Sequence, residues 1–136
     1  MKIMMPLFSL ASLLLFSCEN QIDENELIGN WEVSEFKANT PELSQALIEG
    51  AKIEALSTSY LFKKDKTCSM KSNYILNGRI GKYELIAETS IIKITYPPED
   101  GSSIEEYKVE SLNGSSMKWT QNMGELGSLT LMLTKE

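Results

Sequence analysis

From Trp31 onward, apolar side chains recur at every second position in one short segment after another, and this two-residue period constrains the fold more than any other feature. Such a period places successive side chains on opposite faces of an extended strand. Trp31 to Lys37 is the first candidate strand. Seven more follow: Thr58 to Lys64, Thr67 to Leu76, Arg79 to Ile86, Ser90 to Tyr96, Ile104 to Leu112, Ser116 to Gln121 and Ser128 to Thr134. Turn-forming residues separate them, including Asn77-Gly78, Pro97 to Gly101, Asn113-Gly114 and Asn122 to Gly124. The two Asn-Gly pairs predict two-residue hairpins with positive φ at both central positions, so strands adjacent in sequence should pair antiparallel.

Parity assigns an inward set: Trp31, Val33, Tyr60, Phe62, Cys68, Met70, Tyr83, Leu85, Ile92, Ile94, Tyr107, Val109, Met117, Trp119, Leu129, Leu131 and Leu133. The intervening positions are mostly Lys, Glu, Thr and Ser. Eight one-sided strands must bury one face and dispose of two bare edges. Closing into an up-and-down antiparallel barrel does both, and a two-sheet sandwich is the alternative. One stretch departs from the strand pattern, Pro41 to Thr58. Thr40 is placed to cap a helix, Pro41 suits its first position, and Glu42 suits the positive end of the dipole. Leu43, Ala46, Leu47, Ala51, Ile53, Leu56 and Tyr60 supply an apolar stripe, weakened by roughly 1 kcal/mol at Gly50. The fold class expected is therefore all-β with one helix, between strands one and two of an eight-stranded barrel.

The N-terminus is of a different kind. Met1 to Ser17 carries Lys2 and then an apolar run from Leu7 to Phe16, which is the pattern of a secretory signal and is short of the roughly 20 apolar residues a permanent span needs. Leu15-Phe16-Ser17-Cys18 resembles the bacterial lipobox, in which cleavage occurs before a cysteine that already carries diacylglycerol. The resemblance implies that residues 1–17 are removed and that Cys18 becomes an acylated, palmitate-bearing first residue. The alternative is a general secretory signal cut at a nearby small residue, with Cys18 a bystander. Several acyl chains, each contributing about 0.8 kcal/mol per buried methylene, hold a domain on a membrane without a spanning helix. Residues 18–26, acidic and nearly free of apolar side chains, then read as a tether, with residues 27–136 as the domain. The acidic residues after Cys18 have a second reading as a sorting signal.

A family resemblance is carried by Leu27-Ile28-Gly29-Asn30-Trp31, which looks like the Gly-x-Trp signature of the lipocalin and fatty-acid-binding superfamily. Tyr60 to Thr67, Gly81 to Leu85 and Leu129 to Lys135 add to it, and the whole is similar to bacterial lipocalin-like lipoproteins. In that family the tryptophan closes one barrel end beneath a basic side chain from the last strand, and Lys135 is the only basic residue near enough in sequence. A helix between the first two strands is similar to the fatty-acid-binding branch, where helices cover the mouth. Here it stands either as a lid or as a plug that contributes core. Fatty-acid binders hold a carboxylate with an interior arginine and tyrosine. The single arginine, Arg79, follows the Asn77-Gly78 turn and is expected at the surface.

Chemistry is sparse. The chain has no histidine and 19 acidic against 13 basic residues, a net charge of −6, which argues against histidine catalysis, histidine metal sites and nucleic-acid binding. Losing Lys2 with the signal makes the mature net charge −7. Asp23-Glu24 lies in the tether and Glu99-Asp100 in a turn, while Glu105-Glu106 point to opposite faces of one strand, so no carboxylate pair forms a dyad. Glu99-Asp100-Gly101 lacks the alternating ligands of a calcium loop, and no Gly-rich phosphate loop is present. Cys68 has no histidine to activate it and reads as core. No cofactor, metal site or catalytic residue is expected. Tyr60, Phe62, Tyr83, Ile92, Ile94, Tyr107 and Trp119 are the candidate barrel-lining residues, and they either fill the lumen or surround a small apolar ligand. The reading is a non-enzymatic lipoprotein of a Gram-negative envelope, anchored to the outer membrane, with a small apolar ligand. A non-catalytic structural or protein-interaction module of the envelope is the rival.

Overall fold

A computed structural model of the chain describes residues 22–97 and 103–136. The signal segment, Cys18 and most of the Pro97 to Gly101 turn lie outside the described residues. The element order is α1 (Glu24–Leu27), β1 (Gly29–Asn39), α2 (Gln45–Leu56), β2 (Ser59–Phe62), β3 (Thr67–Ser72), β4 (Ile75–Ile86), β5 (Ile91–Thr95), β6 (Ile104–Leu112), β7 (Ser116–Asn122), a 3-10 turn (Gly124–Leu126) and β8 (Ser128–Lys135). Each strand pairs antiparallel with its sequence neighbour, and β1 pairs with β8, so the sheet is a closed eight-stranded barrel with a lipocalin-like layout.

Alternation builds the interior. Trp31, Tyr60, Phe62, Cys68, Tyr83, Ile92, Ile94, Tyr107, Met117 and Trp119 are all buried, whereas Leu85 and Leu131 are half-buried against the same core and Leu129 is half-buried outside it. Two residues outside that parity set join it, Leu27 and Tyr96. Bulges exchange the faces partway along two strands. In β1 the register shifts between Val33 and Glu35, so the inward positions pass from Trp31 and Val33 to Phe36. In β6 a shift between Val109 and Ser111 does the same for Leu112, which packs against the core.

Three local expectations are corrected. Asn77 and Gly78 do take positive φ, at 65° and 66°, but they form a bulge inside β4, where the register with β3 shifts between Met70 and Ser72. The hairpin turn sits earlier, at Asn73 and Tyr74, where the Ser72 hydroxyl accepts from the Tyr74 amide. At Asn113-Gly114 there is a turn but no positive φ, because the Asn113 side chain accepts from the amides of Ser115 and Ser116 and closes the loop in its own way. Helix α2 begins at Gln45 rather than Pro41. Ser44 is its cap, its hydroxyl accepting from the Leu47 amide, while Thr40 is buried before the turn that precedes it.

Candidate functional site

The two barrel ends differ. At the end where the chain enters, α1 forms a short helical turn out of what reads in sequence as tether, with Asp23 as its cap. Leu27 is fully buried there, and the Trp31 indole donates to its carbonyl (2.8 Å). Lys135 from β8 lies over the Trp31 ring, 5.1 Å from its centroid, and donates to the Glu26 carbonyl (2.8 Å). Gly29, at φ +139°, lets the Lys135 stem pass, since a Cβ there would stand 3.1 Å from its Cε. Lysine thus takes the place over the tryptophan that the resemblance assigns to a basic side chain of the last strand. This end is shut.

At the opposite end a cavity of about 300 Å³ opens beneath α2. That is the lower end of the range for ligand pockets, about 300–1,000 Å³. Phe36, Met70, Ile75, Leu129 and Leu131 give it apolar walls, and Ala51, Glu54 and Ala55 of α2 cover it. Tyr60 and Tyr107 line it from the barrel side, and behind them Trp119 stacks on Tyr107 (centroids 4.4 Å apart) and meets Tyr60 edge-on at 5.0 Å. The helix is a partial roof, not a plug. It buries no residue, and Leu47 and Ile53, expected on its packed stripe, are 62% and 56% exposed.

Arg79, Glu105, Gln121 and the two tyrosines supply polar groups from the barrel side, with Glu54, Thr58 and Ser72 at the rim near α2. Arg79 is not at the surface. The bulge at Asn77-Gly78 sets it opposite the inward-facing Met70, and its side chain is only 18% exposed. Its guanidinium stacks 3.8 Å from the centroid of buried Tyr96 and donates to the Ser103 hydroxyl (2.7 Å). One further nitrogen, Nη1, stands 4.0 Å from a Glu105 oxygen, and Nε is buried with no partner among the described residues. Glu105 in turn accepts from the Tyr107 hydroxyl (2.6 Å).

Burial pushes the Tyr60 and Tyr107 hydroxyls well above the ordinary phenol range, and the nearby Glu105 charge adds to it, so both stay neutral hydrogen-bonding groups. The Cys68 thiol is pushed up to about 12 by burial first and Glu105 second, which keeps it a protonated core residue. Among the described residues no group of three or more acidic or thiol side chains gathers as a metal site would.

Of the candidate lining residues, Tyr60 and Tyr107 border the cavity. Phe62, Tyr83, Ile92, Ile94 and Trp119 lie in the buried core; Phe62 meets Tyr83 edge-on at 5.0 Å, and Tyr83 donates to the Lys63 carbonyl (2.7 Å). Sequence reasoning missed Arg79, Glu105 and Gln121. Parity carried the signal in each case: Arg79 lies four residues before Tyr83, Glu105 two before Tyr107, and Gln121 two after Trp119. No family model matches the chain, and no curated protein matches it.

Proposed function

We propose that the protein is a non-catalytic lipoprotein, anchored through Cys18 to the outer membrane of a Gram-negative envelope, that binds a small, mainly apolar ligand at the mouth of its barrel. The observation that carries the ligand is the cavity itself: apolar walls, a helical cover, and an inward Arg79 with a nitrogen left without a partner among the described residues. Below it the buried rings of Tyr60, Phe62, Tyr83, Tyr107 and Trp119 pack against one another. The anchor rests on the sequence pattern at Leu15 to Cys18.

The test is native mass spectrometry of the full chain made in a Gram-negative host and extracted gently. A co-purifying species near one-to-one occupancy is expected, and its mass gives the ligand class. A clean unliganded mass that persists after exposure to envelope lipid extract overturns the ligand reading. An intact mass without acyl chains on the mature N-terminus overturns the anchor. Exposed Ile53 and Leu56, three residues apart on one side of α2, favour the alternative of a protein-docking module, but Leu47 lies on the opposite side of the helix and does not extend that patch.

A further inference from the structure

We propose that this pocket, taken as the ligand site above, selects an uncharged head group that both donates and accepts a hydrogen bond, such as a primary amide, over a carboxylate or an ammonium on the same short apolar body. Among the described residues, the charged side chains bordering the cavity are Arg79, Glu105 and Glu54. Arg79 and Glu105 face each other across 4.0 Å, and each is held in place by a separate contact, Arg79 by Ser103 and the Tyr96 ring, Glu105 by the Tyr107 hydroxyl. The interior pair is therefore neutral as a unit and fixed before any ligand arrives.

Glu54 adds a further negative charge at the cover. A carboxylate entering this site gains Arg79 only by displacing Glu105, and then stands beside two like charges. An ammonium gains Glu105 only by leaving Arg79 uncountered. Both side chains of the pair are mostly shielded from water, 18% and 26% exposed, so solvent offsets such a mismatch only in part. An amide avoids the conflict. Its carbonyl accepts from Arg79, whose Nε lacks a partner among the described residues, and its N–H donates to Glu105, whose link to Arg79 is long for a hydrogen bond. The apolar body then lies along Phe36, Met70, Leu129 and Leu131.

The experiment is calorimetric titration of the full mature chain at pH 7 with hexanamide, hexanoate and hexylamine, which share a body and differ in the head. Hexanamide is expected to bind tighter than either charged probe by about tenfold or more, the effect of one unsatisfied charge in a partly buried site. In Glu105→Gln the uncountered Arg79 should bring hexanoate to the top of the order, and in Arg79→Gln hexylamine should rise instead. The second variant keeps the test sharp where the first fails to fold. Hexanoate equal to or tighter than hexanamide on the unaltered protein overturns the head-group inference while leaving a ligand pocket in place, as does an order unmoved in both variants. Failure of all three probes to bind overturns the pocket reading and the inference together.

Discussion

Gly127 and Gly50 show how differently one residue type is held at two places in the chain. Gly127, in the β7–β8 connection, has φ of +115°, and a Cβ added there would stand 1.9 Å from the Asn39 carbonyl oxygen at the end of β1. Gly50 lies exposed in α2 with open space around it. Gly127→Ala should cost at least about 2 kcal/mol, because backbone must move at the cavity end of the barrel as well as adopt a strained φ. Gly50→Ala should stabilise by about 0.5–1 kcal/mol through helix propensity. Urea denaturation of the two variants checks both signs, and a neutral Gly127→Ala would contradict the close approach. Buried hydroxyls and the thiol set a second residue-scale expectation. Tyr60, Tyr96 and Tyr107 are raised far above 10 and Tyr83 up to about 12, in each case chiefly by burial, and Cys68 is raised to about 12 by the same cause. Above the unfolded values of 9 to 10, the native chain keeps protons that the unfolded chain releases, so stability is whole below pH 9 and falls as pH rises toward 12. Each such group steepens the fall by about 1.4 kcal/mol per pH unit. A urea midpoint that held constant from pH 8 to pH 11 would refute this.

At the scale of elements, α2 and the strands differ in what holds them. The strands share a closed hydrogen-bonded sheet around a common core, whereas α2 buries no residue and is secured by the Ser44 cap, its half-buried alanines and the Ser57 hydroxyl beside Ser72. Local opening of α2 is therefore expected to be far cheaper than opening of the barrel. Amide exchange should show α2 protected well below β1, β7 and β8, and equal protection would mean that the helix is bound more firmly than its contacts imply. The same contrast explains what the sequence makes legible. Alternation revealed the strands because each had one buried face, and parity alone placed Trp31, Tyr60, Tyr107 and Trp119 inside. It failed where a bulge intervenes. An Asn77-Gly78 hairpin turn would put Arg79 at the surface, but the same two positive-φ residues serve equally well as a bulge inside β4 and turn it inward. The helix stripe misled for another reason: a helix on an open mouth has no facing element for Leu47 and Ile53. Leu27 is hard to read among its acidic neighbours, since it is buried at a barrel end that closes only when Trp31 meets Lys135 of β8, far away in sequence.

For the whole molecule, barrel closure separates the ends in a way that fixes orientation once an anchor is present. The described chain enters at Ile22, beside the shut end built from Leu27, Trp31 and Lys135, while the cavity opens at the far end beneath α2. Strands of this length, tilted by about 40°, separate the ends by about 20–30 Å. From Cys18 to Ile22 the chain spans at most about 14 Å. An anchor at Cys18 therefore holds the shut end near the bilayer and turns the mouth away from it, so ligand would be exchanged with the aqueous side or a soluble carrier. A chain cut before Cys18 would carry a net charge of −7, which gives the domain no attraction to anionic headgroups that would tip it over. Fluorophores placed by Ser115→Cys in the β6–β7 loop at the shut end and by Glu125→Cys in the 3-10 turn at the mouth test this directly. With the lipidated protein in phosphatidylethanolamine and phosphatidylglycerol vesicles carrying a quencher on the acyl chains, the Ser115→Cys probe should be quenched and the Glu125→Cys probe spared. Quenching in the reverse order would place the mouth on the membrane and make the bilayer itself the source of the ligand.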